Sequence, residues 1–347
     1  MQTAQESSMS PSPADAGASR RPDYQAELAR GTERFFGPRR DHCPWCGSPR
    51  LENHLEIGDL YQHKPGRFQL DRCHDCRHVF QNPQLNPDGL AFYYRDFYDG
   101  LGEARMARIF AGAARAYRQR AESLLPHAPA PARWLDVGTG HGHFCEAARA
   151  VFPDTRFDGL DFSDGAEIAE RLGRVARGYR GGFVELAPSM AGQYDVVSLF
   201  HYLEHSTTPE RDLVAAQLTL APGGHLVIEV PDPDCRFAGW LGPWWGPWLQ
   251  PQHLHFIPLA NLRRKLETLG FTVLAEQHAE PHIPVDLVTA VWLVLKAVAP
   301  RENLPWLPEP GVFSSLGRGA IALAGTPALL AAVLLDQLVI KPFAGRL

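Results

Sequence analysis

From Ala132 to Gln277 short apolar runs take turns with helically spaced ones. ARWLDVG is followed by HFCEAARAVF, RFDGLDFS by DGAEIAERLGRV, YDVVSLFHYL by TPERDLVAAQLTLA, and GHLVIEVP by LANLRRKLETLG, with GFTVLAEQ closing the series. Short apolar runs suit buried strands, and apolar residues at i, i+3 and i+4 suit the inner face of a helix. Strands that alternate with helices are joined by crossovers, which makes the sheet mostly parallel and doubly wound. The fold class is therefore α/β, Rossmann-like, with helices on both faces.

A ligand of such a sheet sits at the carboxyl ends of its strands. Here that place is Asp136-Val137-Gly138-Thr139-Gly140-His141-Gly142, where glycines allow a sharp turn and close approach of the backbone. Asp161 closes the second strand and is placed to accept hydrogen bonds from two ribose hydroxyls. The dinucleotide fingerprint is G-x-G-x-x-G, whereas this loop reads G-x-G-x-G and has histidine at position 143. A carboxylate two positions before the first glycine suits a cationic, amino-acid-bearing nucleoside better than a pyrophosphate. A nicotinamide-dependent oxidoreductase or epimerase is the disfavoured alternative.

Upstream lie Cys43-Pro-Trp-Cys46 and Cys73-His-Asp-Cys76. Paired C-x2-C knuckles supply the four thiolates of structural zinc, and in so small a region metal binding of about 10–16 kcal/mol would be most of the folding energy. Disulfides and redox pairs are disfavoured, since no signal peptide and no surrounding βαβ pattern is seen. The net charge of −5 speaks against a nucleic-acid partner. Cytoplasmic location and a small-molecule partner are the defaults, and a non-catalytic zinc-ribbon interaction protein is the reading outside enzymes.

LDVGTGHG, GLDFS, YDVVSLFHYLEH and LAPGGHLVIEVPD resemble the successive motifs of class I S-adenosylmethionine-dependent methyltransferases of type 11/23, over about residues 132–277. The cysteine pairs with HVFQNPQLNPDGLAFYYRDFY, and the later PQHLHFIPLANLRRKLETLGF, are similar to a zinc-ribbon-bearing subgroup often associated with bacterial surface polysaccharide or secondary metabolism. The resemblance implies S-adenosyl-L-methionine bound by Asp136, Gly138, Thr139, Gly140, Gly142, Asp161, Phe162 and Phe200. It also implies O- or C-methylation of a small or lipid-carried acceptor, such as a sugar or secondary metabolite. Several of these residues have a plain structural alternative: Asp136 as a turn carboxylate, Asp161 as a helix cap, Phe162 as core.

Methyl transfer is an in-line displacement in which the protein supplies alignment and a dry pocket, and a base is needed only when the acceptor loses a proton. His201, Glu204 and His205 follow the fourth strand beside the expected methyl position, with His253 and His255 as second candidates from the loop over the acceptor. Glu204 and His205 could equally form a structural turn. The spacing of these histidines gives no support to a metal site. The family usually ends its sheet with a seventh, antiparallel strand, and no run here matches it, so an incomplete sheet edge is expected.

Within GWLGPWWGPWLQPQHLHF, Trp240, Trp244, Trp245 and Trp248 are expected to roof the acceptor pocket, with inward packing or a membrane-interface belt as alternatives. Gly319 to Leu335 and residues 285–295 are apolar, which suggests helices packed on the domain or lying at a membrane surface. The expected organisation is a disordered tail over 1–35, a zinc ribbon over 36–85, a helical linker over 86–130, the S-adenosylmethionine-binding core over 131–280 and a hydrophobic helical extension over 281–347.

Overall fold

The protein is described by a computed structural model over residues 13–96, 113–278 and 285–340. Helix α1 (Pro13–Leu28) precedes strands β1 (Leu51–Ile57), β2 (Phe68–Cys73) and β3 (Val79–Gln81), then helices α2 (Pro87–Tyr94) and α3 (Ala114–Glu122). The alternating region supplies β4 (Arg133–Val137), α4 (His143–Ala148), β5 (Arg156–Asp161), α5 (Gly165–Arg171), β6 (Arg177–Arg180), β7 (Tyr194–Phe200), α7 (Pro209–Thr219) and β8 (Leu220–Glu229), with a single turn of helix, α6 (Phe183–Leu186), before β7. Helix α8 (Arg236–Leu241), strand β9 (His255–Phe256) and helices α9 (Leu259–Thr268), α10 (Asp286–Val298) and α11 (Ser314–Leu335) complete it.

The five core strands run parallel in the order β6-β5-β4-β7-β8. The order reverses beside β4, so the crevice at the carboxyl ends of β4 and β7 is the place where a ligand binds. β4 is buried because Trp134, Leu135 and Val137 meet helices on both faces, and the indole Nε1 of Trp134 donates to Ser198 Oγ at 2.9 Å inside the core. The sequence pattern missed β6, a four-residue strand with little apolar content. Gly178 lets it lie close under α5, since a Cβ there would stand 2.1 Å from the carbonyl oxygen of Ala166.

GFTVLAEQ forms no strand. Residues 271–278 face the outer edge of β8 across a cavity, and no ladder bonds join them. A strand needs a partner for its backbone groups, and alternation of apolar residues alone does not provide one.

The cysteine-bearing strands make a second, antiparallel sheet, β1-β2-β3-β9, in which Val79 pairs with Phe256 and Phe80 with His255. The ribbon is thus continued by a strand from the far side of the core. The reading of residues 1–35 as a disordered tail is corrected from Pro13 onward, where α1 forms. Tyr24 is buried edge-on to Phe92 and Trp306, and its hydroxyl donates to Asp96 Oδ2 at 2.8 Å, so aromatic contacts from distant parts of the chain order a polar segment. Residues 1–12 lie outside the described residues.

Lys64 sits at the centre of this N-terminal body. Its Nζ donates to the carbonyl oxygens of Phe92 (2.8 Å), Tyr93 (3.2 Å) and Arg95, and lies 4.9 Å from the Trp306 ring centroid. Burial lowers its pKa to about 7, against the opposing pull of Asp59. α10 and α11 pack as an antiparallel hairpin. Gly325 comes close to Leu295, and Asp336 at the end of α11 accepts the amide hydrogens of Leu287 (3.2 Å) and Val288 (2.9 Å) at the start of α10.

Candidate active site

The loop after β4 has the form the glycines predict. Gly138, Gly140 and Gly142 have φ of 78°, 50° and 73°, a region that side chains with a Cβ rarely adopt. A Cβ at Gly138 would meet Tyr202 at 3.0 Å and one at Gly142 would meet Ala169 at 2.9 Å, while nothing lies within 4 Å of a Cβ at Gly140. The loop is packed at its two ends and open at its middle. Thr139 is buried over Gly159, whose missing side chain makes room for it.

Asp161 spans the opening. Its Oδ2 accepts the Gly140 amide at 2.9 Å, and its Oδ1 accepts the backbone amide (2.8 Å) and hydroxyl (2.7 Å) of Ser163. Three acceptor positions are in use, so the expected pair of ribose bonds could form only if Ser163 gave way. Phe162 beside it is 84% exposed at the rim of the crevice rather than in the core.

Asp136, expected to meet the cofactor directly or through water, is 4% exposed. Its carboxylate points inward, accepts the Ser198 hydroxyl at 2.6 Å and lies 3.8 Å from Cys145 Sγ. Burial raises its pKa to about 6, opposed by these donors. It anchors the floor of the loop.

Beyond β7 the chain turns at His201, which has a positive φ of 50°. His201 Nδ1 is 3.0 Å from Glu204 Oε1 and its Nε2 is 2.8 Å from Glu229 Oε1. Arg120 completes the array, donating from Nε to Glu229 Oε2 (2.7 Å) and from Nη2 to Oε1 (2.6 Å). Desolvation works against the charged ring, but the two carboxylates outweigh it and raise the His201 pKa to about 10. With a carboxylate on each ring nitrogen the charged imidazolium is the favoured form, which argues against the expected role of His201 as a base at neutral pH. Phe200 packs on Phe144 at 4.7 Å between centroids and under the Arg120 guanidinium at 5.4 Å.

Two members of this array escaped the sequence reading. Glu229 could have been noticed as a carboxylate inside the apolar run LVIEVP. Arg120 gave no signal, since it meets Glu229 from a helix 109 residues earlier.

Glu204 is buried next to His205 and His253, whose rings meet edge-on with centroids 4.5 Å apart. His255 lies elsewhere, on β9, with its Nδ1 3.2 Å from His78 Nε2. The tryptophan-rich loop divides its roles. Trp245 and Trp248 are buried against Ile57, Leu70, Val79 and Phe256, which is the inward-packing alternative, Trp240 is 69% exposed, and both Trp240 and Trp245 line the cavity. The cavity, about 1070 Å³, touches the site through Phe200, His201, Glu229 and His253, and most of it lies between β8 and residues 271–278. It does not include the glycine loop.

Cys43, Cys46, Cys73 and Cys76 converge with all four Sγ atoms within 4.8 Å of one another. The closest pairs, Cys43 with Cys76 at 3.6 Å and Cys46 with Cys73 at 3.5 Å, approach the separation of roughly 3.8 Å that tetrahedral ligands about 2.3 Å from zinc would have. His78 Nδ1 lies 3.8 Å from Cys43 Sγ outside the four, in a position to support a thiolate.

A parallel sheet of this strand order, with a glycine loop after its first strand and an acidic residue ending its second, matches a Rossmann-like methyltransferase fold. Residues 108–276, just under half of the chain, match the family described as a methyltransferase domain. The cysteine cluster on its N-terminal side is compatible with a zinc ribbon.

The chain is 32% identical over 149 residues to the ubiquinone biosynthesis O-methyltransferase of Bordetella avium, covering 40% of this chain and 61% of that protein. It is 28% identical over 151 residues to that of Acinetobacter baumannii, covering 40% and 63%. The matches therefore span less than two thirds of these relatives. Among solved structures, 1,6-didemethyltoxoflavin-N1-methyltransferase of Burkholderia thailandensis, with its substrate and S-adenosylhomocysteine, aligns over 60% of this chain and 93% of that one at 20% identity and TM-score 0.43. Human N-acetylserotonin methyltransferase in complex with S-adenosylmethionine aligns over 49% of each chain at 15% identity and TM-score 0.39.

Proposed function

We propose that the protein transfers a methyl group from S-adenosyl-L-methionine to an oxygen or carbon of a small or lipid-carried acceptor. The observation that carries this reading is the loop Asp136–Gly142, packed at both ends and open at Gly140, facing the carboxyl end of β7. The cofactor supplies an activated methyl on a sulfonium, and the chain's own residues bind and align it. Gly138, Gly140 and Gly142 would receive the amino-acid end, Asp161 would accept one ribose hydroxyl beside its bond to Gly140, and Phe162 and Phe200 would flank the rings. The array of Arg120, Glu229, His201 and Glu204 would hold fixed charge where cofactor and acceptor meet. Acceptor oxygens are favoured over carbon by the names of the sequence relatives.

Calorimetric titration with S-adenosylhomocysteine and, separately, with NAD tests the reading. Binding of S-adenosylhomocysteine alone, in the micromolar range, is expected. NAD binding alone, or binding of neither, would refute it in favour of the oxidoreductase or of an interaction protein. Zinc in the four-cysteine cluster is part of the same proposal, checked by metal content after dialysis and after substitution of Cys46 or Cys73.

We further read α11 as a surface that lies on a membrane and brings a lipid-carried acceptor within reach. Ser314–Leu338 is, among the described residues, the one helix long and apolar enough to cross a membrane. Leu316, Leu323 and Leu330 recur every seven residues at 70%, 77% and 60% exposure, which puts an apolar stripe in contact with solvent. Flotation with liposomes checks this: the full chain should float, and a variant with these three leucines changed to serine should stay at the bottom. Equal flotation of both would rule out the stripe as the contact.

A further inference from the structure

The strongest unexplained feature is a group of ligating atoms behind His201. Glu204 is 1% exposed, and while its Oε1 pairs with His201, its Oε2 is buried without a hydrogen-bond partner. His253 Nδ1 lies 2.7 Å from the carbonyl oxygen of Pro247, and His205 Nδ1 lies 3.1 Å from that of Gln252. A carbonyl oxygen can only accept, so His253 Nδ1 carries the hydrogen and its Nε2 keeps a lone pair, and His205 takes the same form when its Nδ1 donates to Gln252. The Tyr94 hydroxyl stands 2.8 Å from His205 Nδ1 and 3.2 Å from the same Gln252 oxygen, so it can accept from the first while donating to the second. One ligand atom from each of Glu204, His205 and His253 lies within 4.8 Å of the other two.

We propose that Glu204, His205 and His253 form a divalent-metal site of the two-histidine, one-carboxylate type, separate from the cysteine cluster. Imidazoles whose second nitrogen is tied to a backbone carbonyl are what metal-bound histidines require, because that bond fixes tautomer and ring orientation together. The orphaned carboxylate oxygen supplies the negative charge, and His201 holds the other oxygen of the same group in place. Ligands about 2.0–2.2 Å from one ion stand about 3–4 Å apart, so a small contraction would seat it. Two nitrogens and one oxygen suit zinc, cobalt, nickel or ferrous iron better than magnesium or calcium. Three protein ligands leave a position open, and His253 lines the cavity beside the site.

In the methyl-transfer reading, on which this last step rests, that open position would hold an oxygen of the acceptor. His205 and His253 would then act as ligands: the ion would lower the pKa of the acceptor hydroxyl so that its proton passes to solvent, and the oxygen would take the methyl as the S–CH3 bond breaks and S-adenosylhomocysteine leaves. Metal binding itself does not depend on that reading.

The test titrates cobalt(II) into the full chain with its cysteine cluster already loaded with zinc. Equilibrium dialysis reads stoichiometry and absorption reads ligand type. One further equivalent is expected, with zinc retained and without thiolate-to-cobalt charge-transfer bands. Glu204→Gln and His253→Asn should each weaken that equivalent at least about tenfold. No further equivalent, thiolate bands on the added ion, or undiminished binding in both variants would overturn the proposal. If a variant melts below the wild type, the wild-type spectrum alone decides, since it separates imidazole from thiolate ligation. S-adenosylhomocysteine titration runs in parallel. Cobalt bound without it would sink the methyl-transfer reading and leave the site standing, and the converse would sink the site alone.

Discussion

Single residues at the crevice work through hydrogen bonds already spoken for. Asp161 holds Gly140 and Ser163 besides its proposed ribose role, so Asp161→Ala should remove a latch along with the proposed ligand contact. One charge-assisted bond is worth about 1.5–3 kcal/mol, and the dissociation constant for S-adenosylhomocysteine should rise at least about tenfold. Calorimetry that found it unchanged would remove Asp161 from the ribose role. His201 offers a pH test. Its pKa is raised to about 10 from about 6.5 in an unfolded chain, so its contribution to stability is complete below pH about 6.5 and is lost as pH rises through about 10. Denaturant midpoints of the wild type should therefore fall between those values more than those of His201→Asn, a residue that tolerates the positive φ. Parallel curves would show that the array contributes no such linkage.

At the level of elements, the alternating run and its glycine loop were legible because period and turn chemistry are local properties of the chain. The four strands β4, β5, β7 and β8 and the convergence of four cysteines were readable in this way. What the sequence could not reveal were contacts made over long separations: Arg120 on Glu229, Tyr24 beneath Trp306, and β9 against β3. The two histidines of the proposed second metal site share that invisibility, since no spacing on one element brings His205 to His253. The N-terminal helices depend on a packing detail of the same kind. Gly89 in α2 sits so close to Phe35 that a Cβ would stand 2.2 Å from its carbonyl oxygen. Gly89→Ala must push α2 away, at a cost of about 1–3 kcal/mol, visible as a lower melting temperature with the core sheet unaffected. An unchanged melting temperature would mean that this contact relaxes freely.

For the whole molecule, the cysteine cluster and the loop over the crevice are mechanically one piece, because β9 finishes the ribbon's sheet and the residues just before it include His253 and the buried tryptophans. Removing metal from the four cysteines should therefore do more than loosen residues 39–80. Hydrogen exchange should quicken at residues 245–256 as well, while β4 to β7 stay protected. Faster exchange confined to the ribbon would separate the two. The shared sheet also sets an order of events during synthesis. The ribbon leaves the ribosome before the core, and β3 then waits as a bare edge for a partner encoded after almost all of that core. Unpaired edges invite pairing with other chains. For the growing polypeptide, the shortness of β3 and, with the proposed zinc, early metal capture would be safeguards against joining a neighbour before β9 arrives.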